Sequence, residues 1–205
     1  MVDLKKYSFL HLLFLLFSLL PLRLLYILSD LLLILIYYLI GYRKQIVSKN
    51  LTNAFPHATL QARKNIEKQC YKQLCDLLIE HIKALTITKK KLLQQVKMNN
   101  LALLKAFYKQ QKSILLISGH FGNWEWTAHA IALQTNYTLC AGYQPLHAKP
   151  IDKIATYLRT RFKRKCMPYF ALYRYIMTHT ATPQAIALLI DQAPFHKKKV
   201  IGLLF

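Results

Sequence analysis

The sequence predicts an α/β protein: a mixed or mostly parallel sheet flanked by helices, preceded by an N-terminal membrane helix or helical hairpin. Three observations carry this. Beyond residue 112, short apolar runs alternate with longer helical patterns, an order that lays helices over a sheet. One junction reads as strand, glycine turn and helix. Residues 7–42 are almost continuously apolar, as a bilayer requires.

Within that stretch, positions 8–29 form 22 residues, roughly 33 Å as a helix, against a hydrocarbon core of about 30 Å. Pro21 and Arg23 interrupt them. The run 31–42 has 12 residues, roughly 18 Å, and is too short to span alone. The two runs are read as one kinked or hairpin-like element, spanning or re-entrant. Two alternatives stand beside it. Lys5 and Lys6 resemble the start of a signal peptide, but no small-x-small cleavage site follows and the apolar character continues past Asp30. A buried soluble hairpin is the other. Arg43, Lys44 and Lys49 put a basic flank after the apolar run, which favours the cytoplasmic side. Two parts are expected: a membrane-embedded segment over 1–42 and a second domain over 43–205.

Positions 43–55 predict a short basic amphipathic helix closed by Phe55-Pro56. Thr59 can cap a long helix through about 87, with Ile66, Cys70, Leu74, Leu77, Leu78 and Ile82 near helical spacing. Lys89-Lys90-Lys91 reads as a solvated or lipid-facing turn, and 100–110 as a helix. Strands are expected at 113–118, 137–143, 165–170 and 185–190, and helices at 123–134, 150–163 and 172–179. The apolar run 200–205 reads as a further strand.

The chain of 205 residues carries a net charge of +21, from 29 Lys and Arg against 8 Asp and Glu. Such a field favours an anionic partner. The positive mean hydropathy, +0.19, points to anionic lipid and away from nucleic acid, for which no recognition motif is present. Cys70, Cys75, Cys140 and Cys166 form neither a C-x-x-C pair nor a zinc spacing, so they read as reduced thiols and no metal is expected. No GxGxxG or phosphate-binding P-loop occurs.

The chemistry concentrates in Ser118-Gly119-His120-Phe121-Gly122-Asn123-Trp124-Glu125-Trp126. His120 is a base candidate at the turn, and Glu125 is a carboxylate in the first helical turn, five residues on. A histidine oriented by a carboxylate is a general-base pair. The alternatives are a structural turn histidine and a glutamate that only complements the helix dipole. The glycines, Gly122 among them, let substrate approach the backbone. N–H groups around residues 120–123 at the helix start, Asn123 included, or an arginine, are candidates to hold an oxyanion. With no serine or cysteine at an elbow, direct transfer is favoured over a covalent intermediate. Ligands in open α/β sheets bind beyond the carboxyl ends of strands. His120, Tyr143 and Asp191 all follow strand ends, so they can converge. Asp191 reads equally as a site residue or a cap. Arg159 and Arg161 read as contacts to phosphate or to the thioester side, or as solvated residues. Trp124 and Trp126 read as core or interface aromatics, His129 as a satisfied helix histidine, and His11, in the apolar run, as a packing or interface residue.

Several of these blocks resemble the lipid A biosynthesis acyltransferases, the lauroyl/myristoyl type of the lysophospholipid acyltransferase superfamily. They are Gly41-Tyr42-Arg43 with Asn50-Leu51 and Phe55-Pro56, then Gly119 to Glu125, Tyr143-Gln144-Pro145-Leu146, Arg159-Thr160-Arg161, and Asp191-Gln192. The resemblance implies acyl transfer from an acyl-carrier protein or acyl-CoA to a hydroxyl of an anionic membrane lipid, a lipid A precursor, with no cofactor. The place is the cytoplasmic face of the bacterial inner membrane. His120 matches the family's catalytic histidine and Glu125 its motif acid. Gln144 stands where Arg or Lys is usual, with Lys149 nearby. Family members continue beyond the position of Phe205, so the domain is expected to be incomplete at its C terminus. Two other readings remain: an acyltransferase acting on another phospholipid, aminolipid or glycolipid, and a truncated, non-catalytic membrane remnant.

Overall fold

The computed structural model describes residues 9–179 and 181–191. The strand expected at 200–205, and Gln192, lie outside them. The chain divides at Ile87–Thr88 into two compact units.

The N-terminal unit is helical. Helix α1 (Phe9–Leu19) stops before Pro21, whose missing N–H and ring forbid a continuous helix there. Helix α2 (Leu22–Leu33) then runs without a break into a π-helical turn, Ile34–Ile40, that ends at left-handed Gly41. Asp30 therefore does not separate two apolar runs, as the sequence reading had it. The continuous Leu22–Ile40 stretch of 19 residues is long and apolar enough to cross a membrane. After it come α3 (Lys44–Ala54) and α4 (Leu60–Lys83), the latter capped by Thr59, whose side chain accepts from the Ala62 N–H.

Helix α4 supplies the polar partners that α1 and α2 lack. Tyr26, Ser29 and Asp30 lie three and four residues apart, on one stripe of α2. Tyr26 donates to Glu80 at 2.7 Å, Ser29 donates to Asp76 at 2.6 Å, and Asp30 pairs with Lys72 at 2.7 Å. At the α1 break, the carbonyls of Ser18 and Leu20 each accept from the Lys83 ammonium at 2.8 Å. A helix end left without partners in an apolar setting is costly, and Lys83 removes that cost. Away from the stripe, Leu24, Ile27, Leu31, Ile34 and Leu35 are exposed.

The second unit holds the sheet. Thr88 caps α5 (Lys89–Gln95), so Lys89-Lys90-Lys91 is the first turn of a helix and not the expected turn. Helix α6 (Leu101–Lys109) leads to β1 (Ile114–Ser118), then α7 (Trp124–Gln134), β2 (Thr138–Tyr143), α8 (Lys149–Thr160), β3 (Arg164–Pro168), α9 (Tyr169–Thr178) and β4 (Gln184–Leu189). All described pairings are parallel, in the order β1-β4-β2-β3. The period-two alternation of the strands builds a core on each face. Leu139 and Ala185 pack with Ala132 and Tyr137 on the α7 side. Cys140 and Ile186 pack with Leu172 of α9 on the other. Leu139 is fully buried, worth about 1.5–3 kcal/mol for a leucine. The strand expected to reach 170 stops at Pro168, where α9 begins.

Candidate active site

Parallel pairing of β1 with β4 sets Ser118 opposite Leu189. Two residues past the end of each strand stand His120 and Asp191. The register therefore delivers a histidine and a carboxylate to the same sheet edge. The His120 N–H donates to Asp191 Oδ2 at 2.7 Å, and His120 Nδ1 meets Asp191 Oδ1 at 2.7 Å. Both carboxylate oxygens are thus engaged by one residue. The backbone and side-chain hydrogen bonds from His120 hold the Asp191 carboxyl below its ordinary range.

Gly119 makes this pairing possible. A Cβ there would lie 3.1 Å from Asp191 Oδ2 and 3.2 Å from its Cγ. Gly122 has a different duty: its φ of +58° is the left-handed conformation that turns the chain into α7. Asn123 then caps α7, its side chain accepting from the Trp126 N–H at 2.9 Å. The Trp124 ring stands edge-on to His120, with centroids 4.8 Å apart.

Glu125 does not serve as the carboxylate that holds His120, the role given to it from spacing. It lies in the first turn of α7, and its two oxygens are taken by arginines. Arg159 Nε donates to Oε1 at 3.0 Å and Arg164 Nη1 to Oε2 at 2.8 Å. Burial works against its charge, but the Arg164 and Arg159 guanidiniums outweigh it and lower its pKa to about 2. Glu125 and Arg164 are buried and Arg159 partly so, and Arg164 also approaches His129 Nδ1 at 3.4 Å. His129 is accordingly a satisfied structural histidine, also edge-on to Phe162.

A cavity of about 610 Å³ opens beside these residues. His120, Trp124, Glu125, Tyr143, Gln144, Arg159 and Arg164 contribute to its wall, and Leu116, Ala128, Ile131, Leu139, Ala141 and Leu172 make much of it apolar. Such a volume and lining suit an elongated apolar ligand with a polar end. Within the cluster, Arg159 Nη1 and Arg164 Nε are buried and have no hydrogen-bond partner among the described residues. A buried unpaired donor is costly unless something arrives to accept from it.

Of the residues singled out by sequence, His120, Asp191, Glu125, Tyr143 and Arg159 come together here. Arg159 lies over the Tyr143 ring at 5.2 Å. Arg161 does not line the cavity; it stacks over Phe162 at 4.4 Å. Gly122 and Asn123 shape the turn and are not on the cavity wall. The His120 N–H is occupied by Asp191, which removes it from the donors expected to hold an oxyanion. Arg164 was missed. It falls just before the strand expected at 165–170, and nothing local marks it as the one buried residue of β3.

The described residues thus form a parallel α/β sheet with a histidine–aspartate pair at its carboxyl edge, beside a largely apolar cavity. The family model for bacterial lipid A biosynthesis acyltransferases matches residues 3–205, and the chain belongs to that family. The family implies an acyl donor and a lipid acceptor in general terms, and together with the apolar Leu22–Ile40 helix it is consistent with membrane association. No curated protein gives a significant match.

Proposed function

We propose that the protein is a membrane-bound O-acyltransferase. It moves a fatty acyl chain from an acyl-carrier-protein or CoA thioester to a hydroxyl of a lipid A precursor, at the cytoplasmic face of the inner membrane. The observation that carries this reading is the His120–Asp191 pair set beside an apolar cavity. With Nδ1 donating to Asp191, Nε2 presents its lone pair and takes the proton of the acceptor hydroxyl. The oxygen attacks the thioester carbonyl, the carbon–sulfur bond breaks, and the thiolate leaves with the proton returned by the imidazolium. Asp191 fixes the ring and stabilises its cationic form. Arg159, held by Glu125 with one nitrogen unpaired, offers a donor to the developing oxyanion. The acyl chain lies along Leu116, Ile131 and Leu139. The surplus of basic residues favours both an acidic carrier protein and an anionic lipid.

The test is His120→Ala in the full chain, assayed with an acyl thioester and the lipid A precursor. Turnover falls by about two to four orders of magnitude while the protein stays in the membrane fraction. Normal turnover in the variant sinks the assignment. Transfer to a phospholipid or aminolipid and not to the lipid A precursor would keep the chemistry and change the acceptor.

A further inference from the structure

The N-terminal unit has a cavity of its own, about 800 Å³, that shares no residue with the His120 cavity. It lies where Leu22–Ile40 ends and α3 begins. Four cations line it, Arg43 and Lys44 from one side and Arg63 and Lys64 from α4. Among the described residues none of the four forms an ion pair with a carboxylate. The single acid on the wall, Glu67, is buried and engaged with the Tyr37 hydroxyl. Lys44 Nζ lies 4.1 Å from the centre of the Tyr37 ring, which holds the ammonium over the groove. Arg63 is pinned from behind, donating to the carbonyls of Phe55, Pro56 and Ala58. The wall is also partly apolar, through Leu51 and Leu60.

We propose that this groove binds the phosphate of an anionic membrane lipid. Four cations without a carboxylate partner among the described residues, two from the start of α3 and two from α4, converge on one concavity, which matches a compact anion of several oxygens better than a flat carboxylate. Its position at the end of a helix long enough to cross a bilayer, with Tyr37 and Tyr38 beside the cations, is where headgroups lie. The apolar residues on the same wall give the upper acyl chain a place to rest, which free phosphate would not use. The site holds a lipid against the N-terminal unit and is separate from the thioester chemistry.

The test is native mass spectrometry of the detergent-purified full chain, titrated with phosphatidic acid or with phosphatidylcholine of the same chains. The wild type retains one phosphatidic acid in preference to phosphatidylcholine. Lys44→Ala/Lys64→Ala lowers that affinity by about tenfold or more, the size expected for two lysines at a lipid phosphate. Lys44→Arg/Lys64→Arg retains it. Lys89→Ala/Lys90→Ala, which removes the same charge elsewhere, leaves it unchanged. Equal loss in the two alanine pairs would reduce the effect to overall charge and overturn the site. Equal retention of both lipids would overturn it as well. Displacement by excess inorganic phosphate would assign the groove to the free anion and defeat the lipid reading.

Discussion

Replacing Glu125 by Gln separates two roles that spacing alone had merged. The glutamate is buried, with 11 % of its side chain exposed, and bonded to two arginines. Its pKa falls from an ordinary 4.5 to about 2. A group depressed on folding contributes stability that is fully present above its unfolded value and lost as pH falls through the folded one. The fall corresponds to about 3 kcal/mol at pH 7, in line with about 3–5 kcal/mol for breaking a buried ion pair. For a chain of this size that is a drop of about 6–12 °C in melting temperature. Thermal unfolding of the detergent-solubilised full chain, followed by circular dichroism, measures it. The gap between wild type and variant should be widest at neutral pH and close as pH falls from 4.5 towards 2. A double-mutant cycle with Arg164→Gln should show coupling above about 1 kcal/mol. An unchanged melting temperature with turnover lost would refute the reasoning and return Glu125 to the orientation of His120.

Asp191→Asn keeps the shape of the pair but favours the wrong imidazole tautomer. Turnover should fall by about two to four orders of magnitude with little change in melting temperature, since Asp191 is exposed. Gly119→Val should have a comparable effect on turnover by pushing the Asp191 carboxylate away, and steady-state kinetics of both variants would expose any difference. Residues 1–42 should hold the protein in the membrane fraction through high-salt washing, whereas a form without them should be released, because only screened charge contacts remain.

The alternation of strands and helices was legible because each strand is a short apolar run bounded by turn residues, and the structure places all four within one or two residues of expectation. The turn at Gly119 to Asn123 was legible for the same local reason. What escaped were the partnerships made across the chain. Glu125 stands five residues from His120 and drew the assignment, yet a first-turn helical side chain is aimed by the helix, here towards Arg159 and Arg164. That Asp191 and His120 share a sheet edge was legible from their places after strand ends, but the bonds between them depend on the β1–β4 register, which no local spacing records. Asp30 looked like an interruption because its partner, Lys72, lies 42 residues away. Lys89-Lys90-Lys91 read as a turn because charge masked the cap at Thr88.

His120 and Asp191, the proposed base pair, are 71 residues apart in the chain and are brought together by the β1–β4 register. Non-local strand pairing is slow, because loop closure precedes any reward. The expected order of events then has an uncommitted histidine throughout assembly. β2 and β3, joined through α8, have the shorter loop to close, whereas β4 must insert between β1 and β2 before Asp191 can take hold of the ring. A molecule with a misregistered or absent fourth strand would keep the whole glycine–histidine block and still have an unaimed imidazole. Catalytic power would thus arrive late and all at once, making turnover a direct readout of whether the sheet has closed correctly.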